Sequence, residues 1–474
     1  MAEEVVERDS LGEVRVPADA YYGAQTERAR RNFPVSGRGA PAEVVHALGL
    51  LKSAAATANA ELGLLPAELA AAIGRAADAV AAGEFDGQFV VDLYQTGSGT
   101  STHMNANEVI AKRANELLTG RRQAKAPVHP NDHVNRGQSS NDVFPTAIHL
   151  AALLALEQDL LPALAGLQEA LARKAAELDG VLKLGRTHLQ DAVPVRLGQE
   201  LSGYARMVER GRERVSEARP ALSEVPLGGT AAGTGLNAHP QFAVRALVEV
   251  NRRTGLALRP AKDFFEALGS RHALLAASGA LKTLAADLMK IANDLRLLSS
   301  GPRGGLGEIR LPALQPGSSM MPGKVNPVVP EAVCQVAARV VGNDATLTVG
   351  AASGLLELNV MMPVMADALL ESVRLLAAAA RLLTEKCVAG IEARPDRCHR
   401  WLDESLAMTT ALAPRLGYDA AARLARRAEE EGTTLRAVAE RESGLGKEEL
   451  DRLLDPERMT RPEPGNGPGF AKDG

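Results

Sequence analysis

The chain has 474 residues, with 54 Lys and Arg against 58 Asp and Glu, a formal net charge of -4, 46% hydrophobic residues and only 3% aromatics. This balance excludes a broadly basic nucleic-acid binder and an acidic disordered chain, and the length predicts about three domains. No charge-free run of about 18 apolar residues is present to span a bilayer, and the acidic opening MAEEVVERDS predicts no secretory signal.

In chain order, Gly12–Val16 reads as a short strand. Helical patterns begin near Pro41 and again at Pro66, the second closed by Gly83. A helical run, MNANEVIAKRANELL, follows Thr102. Long helices are predicted over 143–178, 197–217, 270–298, 330–348 and 363–390. In the last of these, Leu369, Val373, Leu376, Ala380 and Leu383 step by four and three, the spacing of a bundle seam. Ala and Leu dominate these stretches, and both are strong helix formers. Helices apolar on several faces need more than one neighbour, which predicts burial between copies of the chain. Short amphipathic helices follow over 395–454. The predicted division is a mostly helical N-terminal domain (1–138), a central bundle (139–393) and a small C-terminal helical domain (394–474) with a disordered tail from Arg461. Three isolated cysteines, Cys334, Cys387 and Cys398, lack CxxC spacing and predict a reducing, cytoplasmic setting.

Four polar segments stand apart from the bundle pattern. Thr96-Gly97-Ser98-Gly99-Thr100-Ser101-Thr102 places glycines and hydroxyls before a helix, which suits an anion at the helix start and equally suits a capping turn. Gln138-Ser139-Ser140-Asn141-Asp142 repeats that arrangement, preceded by His129, Asn131, Asp132 and His133. The two histidines are four apart, but Pro130 and its neighbours argue against the helix that would align them on a metal. Gly185-Arg186-Thr187-His188-Leu189-Gln190-Asp191 sets a lone histidine among polar groups. Finally, Gly317-Ser318-Ser319-Met320-Met321-Pro322-Gly323-Lys324-Val325-Asn326-Pro327 reads as a loop presenting a hydroxyl near a fixed positive charge. It lacks the P-loop spacing.

That last segment resembles the signature loop of the fumarase/aspartase superfamily, and its G-K-V-N-P ending is similar to the fumarase and aspartase branch. The other three segments fall in the order of that family's substrate-binding regions, and the similarity runs from about Asp9 to Pro462. The resemblance implies an all-α, fumarase/aspartase-like three-domain fold with a central long-helix bundle. It also implies a homotetrameric helical core, active sites shared between three subunits, and no metal or organic cofactor. The expected partner is a small dicarboxylate, fumarate or L-malate, with no nucleic acid and no membrane.

By the same resemblance, Ser318 is the general base. Lys324 and Asn326 stabilise the doubly charged aci-carboxylate, and Thr187 holds the substrate. His188 works with Glu331 through a water. Ser98, Thr100, Ser139, Ser140 and Asn141 bind carboxylate, and His129, Asn131 and Asp132 would form a second dicarboxylate site. Two positions depart from the fumarase pattern: His103, where Asn is common, and Ala126, where some members have Arg. Thr96–Thr100, Ser139-Ser140-Asn141 and Leu227–Ala231 resemble fumarases, whereas Tyr21-Tyr22-Gly23 and His188–Asp191 are similar to aspartases. Positions touching substrate decide discrimination, so the expected reaction is reversible hydration of fumarate to L-malate, with aspartate ammonia-lyase as the alternative.

Overall fold

A computed structural model describes residues 4–462, so the C-terminal part of the tail expected to be disordered lies outside the described residues. These residues fall into two compact units. The first takes the chain up to Ala163 together with Gly211–Ala286 and Val336–Ala378; the second takes Leu164–Arg210, Asp287–Gln335 and the chain from Ala379 onward.

In the first unit, the strand expected at residue 12 is Gly12–Pro17, and it pairs antiparallel with Glu4–Asp9. Helices Ala42–Glu61 and Ala67–Ala81 pack against each other. Their closest approach is at Gly49, where a Cβ would lie 2.7 Å from Ala77 O and 2.5 Å from Ala81 N. An Ala-rich surface permits that proximity, and bulky rings would hold the backbones apart. Helix Thr100–Thr119 completes this layer, with Val109, Ile110 and Ala114 buried beside Ile73 and Val80.

Helix Ser140–Ala155 continues through a π-turn, Leu156–Leu160, into Leu161–Glu177. Pro162 explains the interruption: its ring cannot sit against the carbonyl four residues back, and a wider turn relieves the clash. By length and composition Ser140–Glu177 is apolar enough to cross a membrane, with a mean hydropathy of 1.5. Its buried polar groups mark a core helix instead. Asp142 accepts the amides of Gly228 and Thr230, and His149 Nδ1 lies 2.9 Å from Leu222 O.

The remaining long helices are Leu197–Glu217, His272–Leu298, Val328–Ala352 and Met362–Lys386, close to the sequence expectation. The seam residues Leu369, Val373, Leu376, Ala380 and Leu383 are all buried. Helix Phe242–Thr254 was not expected. Neither was the hairpin Leu182–Thr187/Gln190–Arg196 in the second unit, which packs beside helix Pro395–Glu404. Beyond it, the short C-terminal helices close a small core of Leu412, Leu424, Leu435, Val438, Leu450 and Leu454.

Candidate active site

Candidate residues occupy both units. In the first, the 96–102 segment is a tight turn leading into helix Thr100–Thr119. Gly97 is required there, because a Cβ would fall 1.7 Å from Val360 O, and Gly99 adopts φ +72° with its α-carbon against the Phe144 ring. Of the two readings the sequence left open, the geometry here is that of a capping turn. Ser101 N donates to Thr96 Oγ1, and Thr102 N donates to Gln95 Oε1. These caps satisfy donors that would otherwise be open. Hydroxyls are what the segment retains for a ligand, with Ser98 Oγ and Thr100 Oγ1 2.7 Å apart.

The second segment also caps itself. Ser139 Oγ accepts from Asn141 N, while Asp142 Oδ1 accepts from Ser139 N at 2.9 Å, the reciprocal arrangement of a capping box. Asn141 Nδ2 donates to Ala231 O. The two helix starts are tied together through a ring, His103 Nδ1 lying 2.7 Å from Ser140 Oγ. Its Nε2 lies 2.7 Å from Lys52 Nζ, and that ammonium group also reaches Asn135 Oδ1 at 3.0 Å and Gln138 Oε1 at 2.8 Å.

Lys52, His103 and Asp142 are fully buried. Burial holds Lys52 well below the usual lysine range, opposed by the charge of Asp142. Burial and the Lys52 charge push His103 well below the usual imidazole range, leaving a neutral ring. Asp142 is pushed up to about 6 by burial, opposed by the amides of Ser139, Gly228 and Thr230.

His129 caps a π-turn, Pro130–Val134, where the sequence reading expected no helical geometry. Pro130 fits as the first residue of that turn because it has no amide to satisfy. His129 Nδ1 accepts the amides of Asn131 and Asp132 and lies 3.3 Å from the Asp132 carboxylate, while His133 Nδ1 accepts from His129 N. Both rings fold onto their own backbone. Asn131 and Asp132 are exposed.

In the second unit, the 317–327 loop is closed by Gly317 N donating to Lys324 O at 2.8 Å and Asn326 Nδ2 donating to Gly317 O at 2.6 Å. Ser318 Oγ accepts two amides, Met320 N at 3.1 Å and Met321 N at 3.0 Å. Glu331 lies in the first turn of the helix that follows. Thr187 and His188 stand on an exposed hairpin tip. His188 (φ +57°) and Leu189 (φ +60°) form its two-residue turn, both left-handed and neither a glycine. Such turns favour Asn-Gly, and two ordinary side chains there store strain of the kind held at functional sites.

Beneath the tip is a buried charge cluster that the sequence reading missed. Glu308 accepts from Arg186 at 2.8 Å and lies 3.1 Å from Lys183 Nζ, which also donates to Glu200 at 2.9 Å. The signal in the sequence is faint: Lys183 sits between apolar Leu182 and Leu184 in a strand pattern.

The family model described as "Lyase" matches residues 12–342, and that of the "Fumarase C C-terminus" matches 408–461. A class II fumarate hydratase from Methylorubrum extorquens is 52% identical over 456 residues, covering 96% of this chain and 97% of its own. One from Nitrosomonas europaea is 51% identical over 454 residues, covering 96% and 98%. The crystal structure of a class II fumarase from Schistosoma mansoni superposes with a TM-score of 0.94 at 40% identity, covering 97% of this chain and 99% of that one.

Proposed function

This chain belongs to the class II fumarase family, and on that footing we propose that it catalyses the reversible hydration of fumarate to L-malate. The observation that carries the assignment is 52% identity with a class II fumarate hydratase across 96% of the chain.

In the dehydration direction, Ser318 takes a proton from the carbon beside one carboxylate. The electron pair moves into that carboxylate, giving the aci-carboxylate dianion. The hydroxyl on the neighbouring carbon then leaves with a proton as water. An isolated serine is a weak base, and the amides of Met320 and Met321 aimed at its Oγ supply the donors an alkoxide needs. Lys324 and Asn326 face the developing dianion. The hydroxyls of Ser98, Thr100, Ser139 and Ser140, with Asn141, take carboxylate. Thr187 holds substrate, and His188 with Glu331 handles the water. His129, Asn131 and Asp132 would form a second dicarboxylate site.

These parts come together in a homotetramer whose sites draw on three subunits. The apolar side chains left exposed on the long helices, Leu297, Val341 and Val349, support that assembly. Cytoplasmic residence is supported by three free cysteines. Burial pushes the thiols of Cys387 and Cys398 up to about 12, which keeps them unreactive.

The test is a paired assay. The purified protein is expected to convert L-malate to fumarate, followed by ultraviolet absorbance, and to release no ammonia from L-aspartate. Ammonia release without malate turnover would reassign the chain to aspartate ammonia-lyase chemistry.

A further inference from the structure

We infer that His103 and Lys52 are positioning residues for the hydration reaction: together they fix the Ser140 hydroxyl as a hydrogen-bond donor to the substrate carboxylate. This rests on the proposed role of Ser140 and adds two residues that lie outside the four polar segments.

The side-chain amides around Lys52 are each held in one orientation. Asn135 Nδ2 donates to Gln138 O, and Gln138 Nε2 donates to Val134 O and Arg136 O. Those bonds fix both amide groups with their oxygens toward Lys52 Nζ. The ammonium therefore meets three acceptors: Asn135 Oδ1, Gln138 Oε1 and His103 Nε2. An ammonium has three protons to give and no lone pair, so the count closes only with Nε2 unprotonated. The neutral ring then carries its proton on Nδ1 and donates it to Ser140 Oγ, 2.7 Å away. Ser140 Oγ has become an acceptor from His103, and its own O–H is released to donate elsewhere. Asp142 supplies the countercharge for this arrangement. Its carboxylate receives the amides of Ser139, Gly228 and Thr230, which only the ionised form accepts in full.

Removing one proton from Lys52 reverses the chain. The amine gives its two protons to the amide oxygens and accepts from His103 Nε2–H. Nδ1 becomes an acceptor, and Ser140 turns its O–H inward to meet it. Both states satisfy every polar group in this network, and only the ammonium state offers the substrate a donor. Binding competence is therefore present below the Lys52 pKa and is lost as pH rises through it. Because burial lowers that pKa, the loss comes below the usual lysine range. The ionisable groups facing Lys52 are Asp142 from helix Ser140–Ala155 and His103 from helix Thr100–Thr119. On the helices packed against Ala42–Glu61, Asp78 and Arg253 pair with each other at 2.8 Å, and Arg253 also donates to Ser53.

Two measurements decide it. In wild-type protein labelled with nitrogen-15 at histidine, the His103 resonances, assigned by their loss in His103→Gln, are expected to show a protonated Nδ1 and a bare Nε2 at neutral pH. In His103→Leu and Lys52→Met, the KM for L-malate is expected to rise about tenfold or more, the worth of one hydrogen bond to a charged group, with kcat changed far less. The alkaline rise of KM in the wild type should be flat in His103→Leu. A wild-type ring protonated on Nε2 at neutral pH overturns the inference, as does an unchanged KM in a folded variant. The NMR result does not depend on turnover. A protein inactive on malate with Nδ1 protonated would retire the hydratase assignment while leaving the relay itself standing.

Discussion

Ser318→Ala is expected to lower kcat for L-malate dehydration by about 10³-fold, within the range that loss of a general base costs, while leaving the assembly and its unfolding midpoint unchanged. The stability half of that expectation follows from what holds the loop. Its closing bonds, Gly317 N to Lys324 O and Asn326 Nδ2 to Gly317 O, do not involve the serine side chain. Alanine forfeits only the two bonds from the amides of Met320 and Met321, and both residues are exposed enough for water to take over. A substitution of this kind costs within about 0.5 kcal/mol. The catalytic half follows from the same two amides. They stabilise negative charge at a single point, and without an oxygen there they have nothing to stabilise. Absorbance of fumarate gives the rate, and thermal unfolding with light scattering gives the rest. A variant retaining more than a tenth of wild-type kcat would place the base elsewhere.

The helical half of this architecture was legible because it is periodic. The four-and-three spacing from Leu369 to Leu383 marked a buried face, and every one of those residues is buried. Candidate site residues were legible by type, as hydroxyls and amides clustered before helices and in one loop. Their bonding was not. Ser101 and Thr102 have their amides capped by Thr96 and Gln95, and nothing in the sequence separates an open helix start from a capped one.

The hairpin at 182–196 was missed for a physical reason as well. A two-residue turn announces itself through Asn-Gly or Asp-Gly, and this one uses His188 and Leu189 in left-handed conformations instead. Lys52 was invisible because a lysine on a helix usually lies on the solvated face. Its position four residues after Leu48 and three before Ala55, both buried, was the available clue. These failures share a cause: polar and strained positions that tertiary contacts satisfy cannot be priced from local pattern.

Glu308→Ala is expected to destabilise the protein by about 3–5 kcal/mol, the cost of breaking a buried ion pair from one side. Glu308 is fully buried, Lys183 nearly so, and Arg186 reaches the same carboxylate from three residues further along the Lys183 strand. Losing the carboxylate leaves both cations in a poorly solvated place, with Lys183 retaining Glu200 and the Leu184 carbonyl. Glu308→Gln should recover little, because shape is preserved while the missing charge is not. The double variant Lys183→Met with Glu308→Leu removes one pair but takes Glu200 and Arg186 from their partners, so it too should recover little. Activity ought to fall with stability, unlike the serine variant, because Lys183 and Arg186 belong to the strand that ends at Thr187, immediately before His188. Slackening that strand lets the strained His188-Leu189 turn relax, and a histidine displaced by about 1 Å can cost about 10²-fold in rate. Urea unfolding and malate kinetics on the same preparations separate the two effects. A loss below about 1 kcal/mol would mean that water reaches the cations and screens them as at a surface pair. In that case the left-handed turn, with no rigid charge cluster beneath it, would have to be held by whatever packs on the exposed tip.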